Sequence, residues 1–184
     1  MMLRGLGKKG LSPVVATVLI IMITVVAVTL IAAFIVPFVQ KVPEEGQRCF
    51  EVFADLSFHD TLYNCYSNDT QQQTHTGFSV SINDESIQGF TLLAINKGQS
   101  ERYTITDGIS GIQELKMLGG TWGEALEVPD NGGVRTYVYK GHVESFEIYP
   151  VLADGKQCEK SDQIEPRLCA STEVANCVNG EGSC

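Results

Sequence analysis

Apolar residues are concentrated at one end of this chain. Residues 11–39 read LSPVVATVLIIMITVVAVTLIAAFIVPFV, with no charge between Lys9 and Lys41. The run exceeds the roughly 20 apolar residues that an α-helix needs to cross a bilayer, and is about twice the apolar core of a secretory signal. It predicts a single long helix. Pro13 sits near its start, where a missing N–H costs little, and residues 14–36 alone would span about 35 Å. Pro37 is expected to kink or end the helix, because proline removes a donor and disfavours helix in the residue before it.

After a short polar connector, the pattern changes to that of strands. In GFSVSIN, Phe78, Val80 and Ile82 alternate with Ser79 and Ser81, the period-2 signature of a half-buried strand. FTLLAIN, residues 90–96, is more continuously apolar and predicts a central strand or one packed on both faces. RYTIT, IQELKML, VRTYVYK and ESFEIYPVLA continue the series, although IQELKML also fits a helical turn. Turn-forming stretches such as NKGQS, TDGISG and PDNGG separate them. The expected fold is α+β: the long N-terminal helix, then an antiparallel, sandwich- or barrel-like head. Pro150 is expected at an edge or bulge. Residues 155–184 hold few large apolar side chains and are expected to form a Cys-rich appendage with little regular structure.

Charge and cysteine content add orientation. Of the 13 Lys and Arg, Arg4, Lys8 and Lys9 precede the apolar run, whereas all 22 Asp and Glu follow it. Positive charge beside a membrane helix stays cytoplasmic, so the head should face outward. Its acidic balance opposes binding to a polyanion, and nucleic acid is not an expected partner. Cys49, Cys65, Cys158, Cys169, Cys177 and Cys184 all lie beyond the run, which predicts disulfides in an oxidising compartment. Nearest-neighbour pairing would join Cys49 to Cys65, Cys158 to Cys169 and Cys177 to Cys184. His59, His75 and His142 are scattered and no C-x-x-C pair occurs, so no metal site or cofactor is expected.

The residues before the helix narrow the reading. KKG followed by LSPVV places a basic pair, Lys8 and Lys9, and then Gly10 ahead of Leu11, so a cut after Gly10 would remove the charged leader and keep the apolar core. This stretch resembles the class III signal peptide and N-terminal helix of archaeal type IV pilins and archaellins. The resemblance implies cleavage between Gly10 and Leu11 by a prepilin peptidase, followed by assembly of the retained helices into a surface filament with the help of pilus assembly machinery. The partners would be the membrane before assembly and other copies of the chain afterwards. Bacterial pilins usually carry a glutamate five residues into the mature chain; Val15 stands there, as suits the archaeal branch.

The segments then read as a cleaved leader (1–10), a transmembrane or filament-core helix (11–40), a connector (41–48), a β-rich extracellular head (49–154) and an appendage (155–184). A structural, adhesive role is expected, with no enzymatic activity. The alternative is a single-span surface protein that binds a partner without polymerising. Asp55, His59 and Asp60 form a local acid–imidazole group and Ser110 lies in a Gly-flanked turn, but GISG misses the spacing of a nucleophile elbow. Trp122, in GGTWG, fits either a binding loop or the core. Asn68, in Asn68-Asp69-Thr70, is a candidate glycan acceptor.

Overall fold

A computed structural model describes residues 12–68 and 74–180, with the backbone alone at 38–45. The chain divides into two compact units, Met1–Gln47 and Arg48–Cys184. Helix α1 (Pro13–Glu51) occupies the first unit and ends in the second. The Ser12 carbonyl accepts from the amides of Val15 and Ala16 at 3.0 and 3.1 Å, so Pro13 occupies the first turn, where its missing donor is harmless. The helix does not end near Pro37, and the polar connector continues it. Each proline removes one donor, while Glu44, Glu45, Gln47 and Arg48 are good helix formers that let the following turns continue.

The second unit is built from two sheets. In the first, β1 (Leu56–Phe58) and β2 (Cys65–Tyr66) lie along one side of β3 (His75–Ile82); β7 (Gly133–Lys140) and β6 (Leu115–Met117) follow on the other. The second sheet has the order β5-β4-β8-β9, from β4 (Ile87–Asn96), β5 (Gln99–Thr106), β8 (Ser145–Leu152) and β9 (Asp162–Ile164). The FTLLAIN segment is thus a central strand, and IQELKML contributes the short strand β6. Lys97 and Gly98 turn the β4–β5 hairpin with φ of 49° and 77°, the positive values that a two-residue I′ loop demands.

The inner faces meet over aromatic rings. Phe78 stacks on Tyr137 at 5.4 Å and tilts onto Phe146 at 4.6 Å, while Phe90 meets Tyr137 edge-on. Val80, Ile82, Leu92, Ile105, Leu115 and Ile148 fill the space around them and are almost wholly buried. Full burial of each such side chain contributes about 1.5–3 kcal/mol.

Strand β3 departs from its expected half-burial: all eight of its residues are buried. The serine face is covered by residues 59–66. Ser79 Oγ lies 2.7 Å from Thr61 Oγ1 and 2.9 Å from Thr136 Oγ1, and Ser81 Oγ lies 3.0 Å from Ser57 Oγ. Between β1 and β2 the ladder is completed by a side chain, Asn64 Oδ1, which accepts from the Ser79 amide at 2.8 Å. Gly77 makes the close approach possible, since a Cβ there would stand 2.4 Å from the Tyr63 carbonyl oxygen.

The C-terminal stretch is more regular than its composition suggests. It supplies β9, then β10 (Arg167–Leu168), paired parallel to β2, and helix α2 (Thr172–Asn179), which is capped by Ser171 and Gly180. Pro150 lies inside β8, paired with Phe90, just past the last residue that β9 reaches; its carbonyl accepts from Cys158 N at 2.9 Å. Its missing donor therefore interrupts no ladder.

The nearest-neighbour disulfide pairing is overturned for the pairs the structure describes. Cys49 bonds Cys158 and Cys65 bonds Cys169, closing loops of 109 and 104 residues. Spacing along the chain favours short loops, but the sandwich brings the C-terminal stretch back against the end of α1 and against β2. Cys177 is also disulfide-bonded, whereas Cys184 lies outside the described residues.

Two measurements test this architecture. Non-reducing peptide maps should join Cys49 to Cys158, and replacing both by Ala should cost about 4–5 kcal/mol in the chain-entropy account, more than the roughly 3 kcal/mol of a 15-residue loop. A map linking Cys49 to Cys65 would contradict the fold. Gly77→Ala should destabilise the head by about 1–3 kcal/mol in urea unfolding, because Tyr63 and its backbone must move.

Candidate functional site

The most distinctive feature of the described chain is the surface of α1. Within it, Pro13–Pro37 has a mean hydropathy of 3.1 over its most apolar window, none of which is buried. Ile20, Ile21, Met22, Ile23 and Phe34 are all more than half exposed. The few polar groups are satisfied internally: the hydroxyls of Thr17, Thr24 and Thr29 each donate at 2.9 Å to the carbonyl three residues back, on Val14, Ile21 and Val26. The segment Pro13–Pro37 therefore presents an apolar surface to its surroundings. At about 37 Å for 25 residues it is long enough to cross a bilayer core of about 30 Å. The leader residues Lys8, Lys9 and Gly10 and the following Leu11 lie outside the described residues.

His59 and Asp60 are exposed and Asp55 is half-buried. The His59 backbone bonds Ser79 and Asn64, which makes this segment the cover of β3. Ser110 is exposed on its turn. Among the described residues no three His, Cys, Asp or Glu side chains group as metal ligands. An open groove of about 620 Å³ at one end of the sandwich is edged by Asp84, Glu85, Asp107 and Asp130. Two of these serve the local backbone: Asp107 accepts from Val128 N at 2.7 Å and Asp84 from Ser86 N at 2.8 Å. Asn68 is exposed, while Asp69 and Thr70 of its tripeptide lie outside the described residues.

Two polar clusters emerge only from the packing. Trp122 is half-buried, stacked on His75 at 5.2 Å, with Lys116 Nζ 4.9 Å from its ring centre. It packs against a small outer core of Cys65, Val138 and Val178. At the open side of the sandwich, Glu101 Oε2 accepts from Tyr103 on β5 at 2.5 Å and from Tyr139 on β7 at 2.8 Å, tying the two sheets together. The phenols hold the Glu101 carboxyl below its ordinary value of 4.5, the Tyr103 bond contributing most. Burial, and then the carboxylate, push Tyr139 up to about 12 and raise Tyr103 further. Neither cluster has a periodic signature in sequence, since its members come from separate strands.

Compared with known protein families, curated proteins and solved structures, the chain matches none. Its functional reading therefore rests on its own residues.

The Glu101 clasp has a definite pH dependence. A carboxyl whose folded pKa is depressed stabilises above its unfolded value, and that stability is lost as pH falls through the lower folded value. Glu101→Gln should lower stability by about 1 kcal/mol at neutral pH. It should also flatten the acid-side decline below about pH 4.5 in circular-dichroism unfolding curves. Parallel acid profiles for the two proteins would refute the clasp.

Proposed function

We propose that this protein is a pilin-like structural subunit: exported, trimmed of a basic leader, held in a membrane by α1 and then polymerised through it into a surface filament. The carrying observation is that the apolar window of Pro13–Pro37 is wholly unburied. A helix apolar on every side is stable only in lipid or in the centre of an assembly. Sequence adds the rest. Lys8 and Lys9 hold the leader at the cytoplasmic side, Gly10 supplies the small residue before the cut, and Leu11 becomes the new N-terminus.

The self-satisfied threonines suit an exchange of surroundings, because moving the helix from lipid to neighbouring helices strands no hydroxyl. Val15 leaves the early helix without charge, so register between subunits must come from shape. Ala16, Ala27, Ala32 and Ala33 permit close approach of a second helix. Lipid is as apolar as the helix, so assembly draws on packing rather than on the hydrophobic effect. Identical subunits joined head-to-tail give an open helical array, with the disulfide-bonded heads outward and adhesion as the use. The reading assigns no catalysis and no cofactor to the head.

Mass determination of the native N-terminus tests the proposal. The mature chain should begin at Leu11, be recovered in detergent-free filaments, and lose both properties in Gly10→Trp. A native chain that starts at Met1 or Met2 and remains a dispersed membrane protein would leave a single-span surface anchor as the function.

A further inference from the structure

The edges of the two sheets are unequal. Among the described residues, β10 has two residues and β6 and β9 have three each, a shortness that blunts them as pairing sites. Strand β5, at the outer side of the second sheet, has eight, and it is hydrogen-bonded on one side alone, to β4. That pairing runs from Gly89 opposite Thr106 to Asn96 opposite Gln99 with no register shift, and β5 contains no proline.

The hairpin fixes which backbone groups face outward. Its two-residue I′ loop makes Asn96 and Gln99 a hydrogen-bonded pair, and such pairs alternate along an antiparallel ladder. Glu101, Tyr103 and Ile105 therefore turn their amides and carbonyls toward β4, opposite Ala94, Leu92 and Phe90. Ser100, Arg102 and Thr104 turn theirs to the free edge. All three are exposed, and nothing among the described residues bonds their amides or carbonyls. Neighbouring side chains leave the edge open: Glu101 is turned inward onto Tyr139 of β7, and the Thr104 hydroxyl lies 3.3 Å from that of Thr91 on β4.

We propose that β5 is a self-pairing edge, where two copies of the chain meet as antiparallel strands and join their second sheets into one. A second copy is the occupant because its β5 is the described edge of matching length, and strands of Thr, Tyr and Ile pair well. Charge sets the register. An alignment centred on Arg102 would set two guanidinium groups directly opposite each other, which is unfavourable. Centred on Tyr103, it places Arg102 of each copy opposite Thr104 of the other, and each such pair exchanges two hydrogen bonds. Glu101 then faces Ile105 rather than another carboxylate. The contact is two-fold and closes at two chains, so it does not rest on polymerisation through α1.

Residue-resolved hydrogen exchange on the full chain in detergent micelles tests the pairing. With rising protein concentration the Arg102 and Thr104 amides should gain protection, whereas that of Tyr103, already bonded to β4, should not change. Thr104→Pro removes an outward N–H, a change that edge strands tolerate. The symmetric contact loses two bonds, so the concentration of half-association in sedimentation should rise about tenfold. Arg102→Thr, which exchanges the edge charge for a strand former, should lower it. Amides that stay unprotected at every concentration would overturn the proposal and leave the edge to a strand of another protein. A Thr104→Pro chain that associates like its parent, or an Arg102→Thr chain that pairs no more tightly, would also overturn it. Should Thr104→Pro not fold, the alternation of protection and the Arg102→Thr shift decide.

Discussion

Strand β3 is buried on both faces, and a strand placed that way must find partners for the polar side chains turned away from the core. Phe78, Val80 and Ile82 point into the aromatic layer between the sheets. On the other side Ser79 and Ser81 are satisfied by Thr61, Thr136 and Ser57, and Gly77 leaves room for the Tyr63 backbone. The remaining features of that face follow from this constraint. Residues 59–66 must cross it, β10 must pair with β2, and α2 must cap the outer apolar cluster. The hydroxyl contacts matter less for what each adds than for what an unpaired buried hydroxyl would cost, about 1–3 kcal/mol.

The disulfides act on the same arrangement from the covalent side. Both described bridges return the C-terminal stretch to the first part of the head: one at the end of α1, the other at β2. The C-terminal strands are short and would be marginal alone; β10 has two residues and β9 three. Long covalent loops restrict the unfolded chain, so they support segments whose own contacts are few. The head therefore depends on these two bonds being oxidised.

The two units obey opposite rules. The head buries its apolar side chains and spends its polar groups on closing turns and covering strands. Helix α1 exposes its apolar side chains and hides its few hydroxyls in its own backbone. The first arrangement is complete within one chain; the second leaves an apolar surface long enough to cross a membrane.

What could be read without coordinates follows from local periodicity. The apolar run over residues 11–39 predicts α1, and alternation or continuous apolarity predicts β3, β4, β5, β7 and β8, because side-chain period is a property of neighbours in sequence. The FTLLAIN stretch is legible as a central strand for the same reason. The serine face of β3, by contrast, reads as solvent-facing, since nothing local says that residues 59–66 cross it. The continuation of α1 past Pro37, the long disulfide loops, the Glu101 clasp and the His75–Trp122 cluster were decided by tertiary structure. Each joins residues far apart in the chain, or depends on backbone bonds beyond the residue that signals a break. Sequence by itself determined that one end of this protein is an apolar helix long enough to cross a membrane and that the other folds into strands; only packing determined which polar groups those strands would enclose.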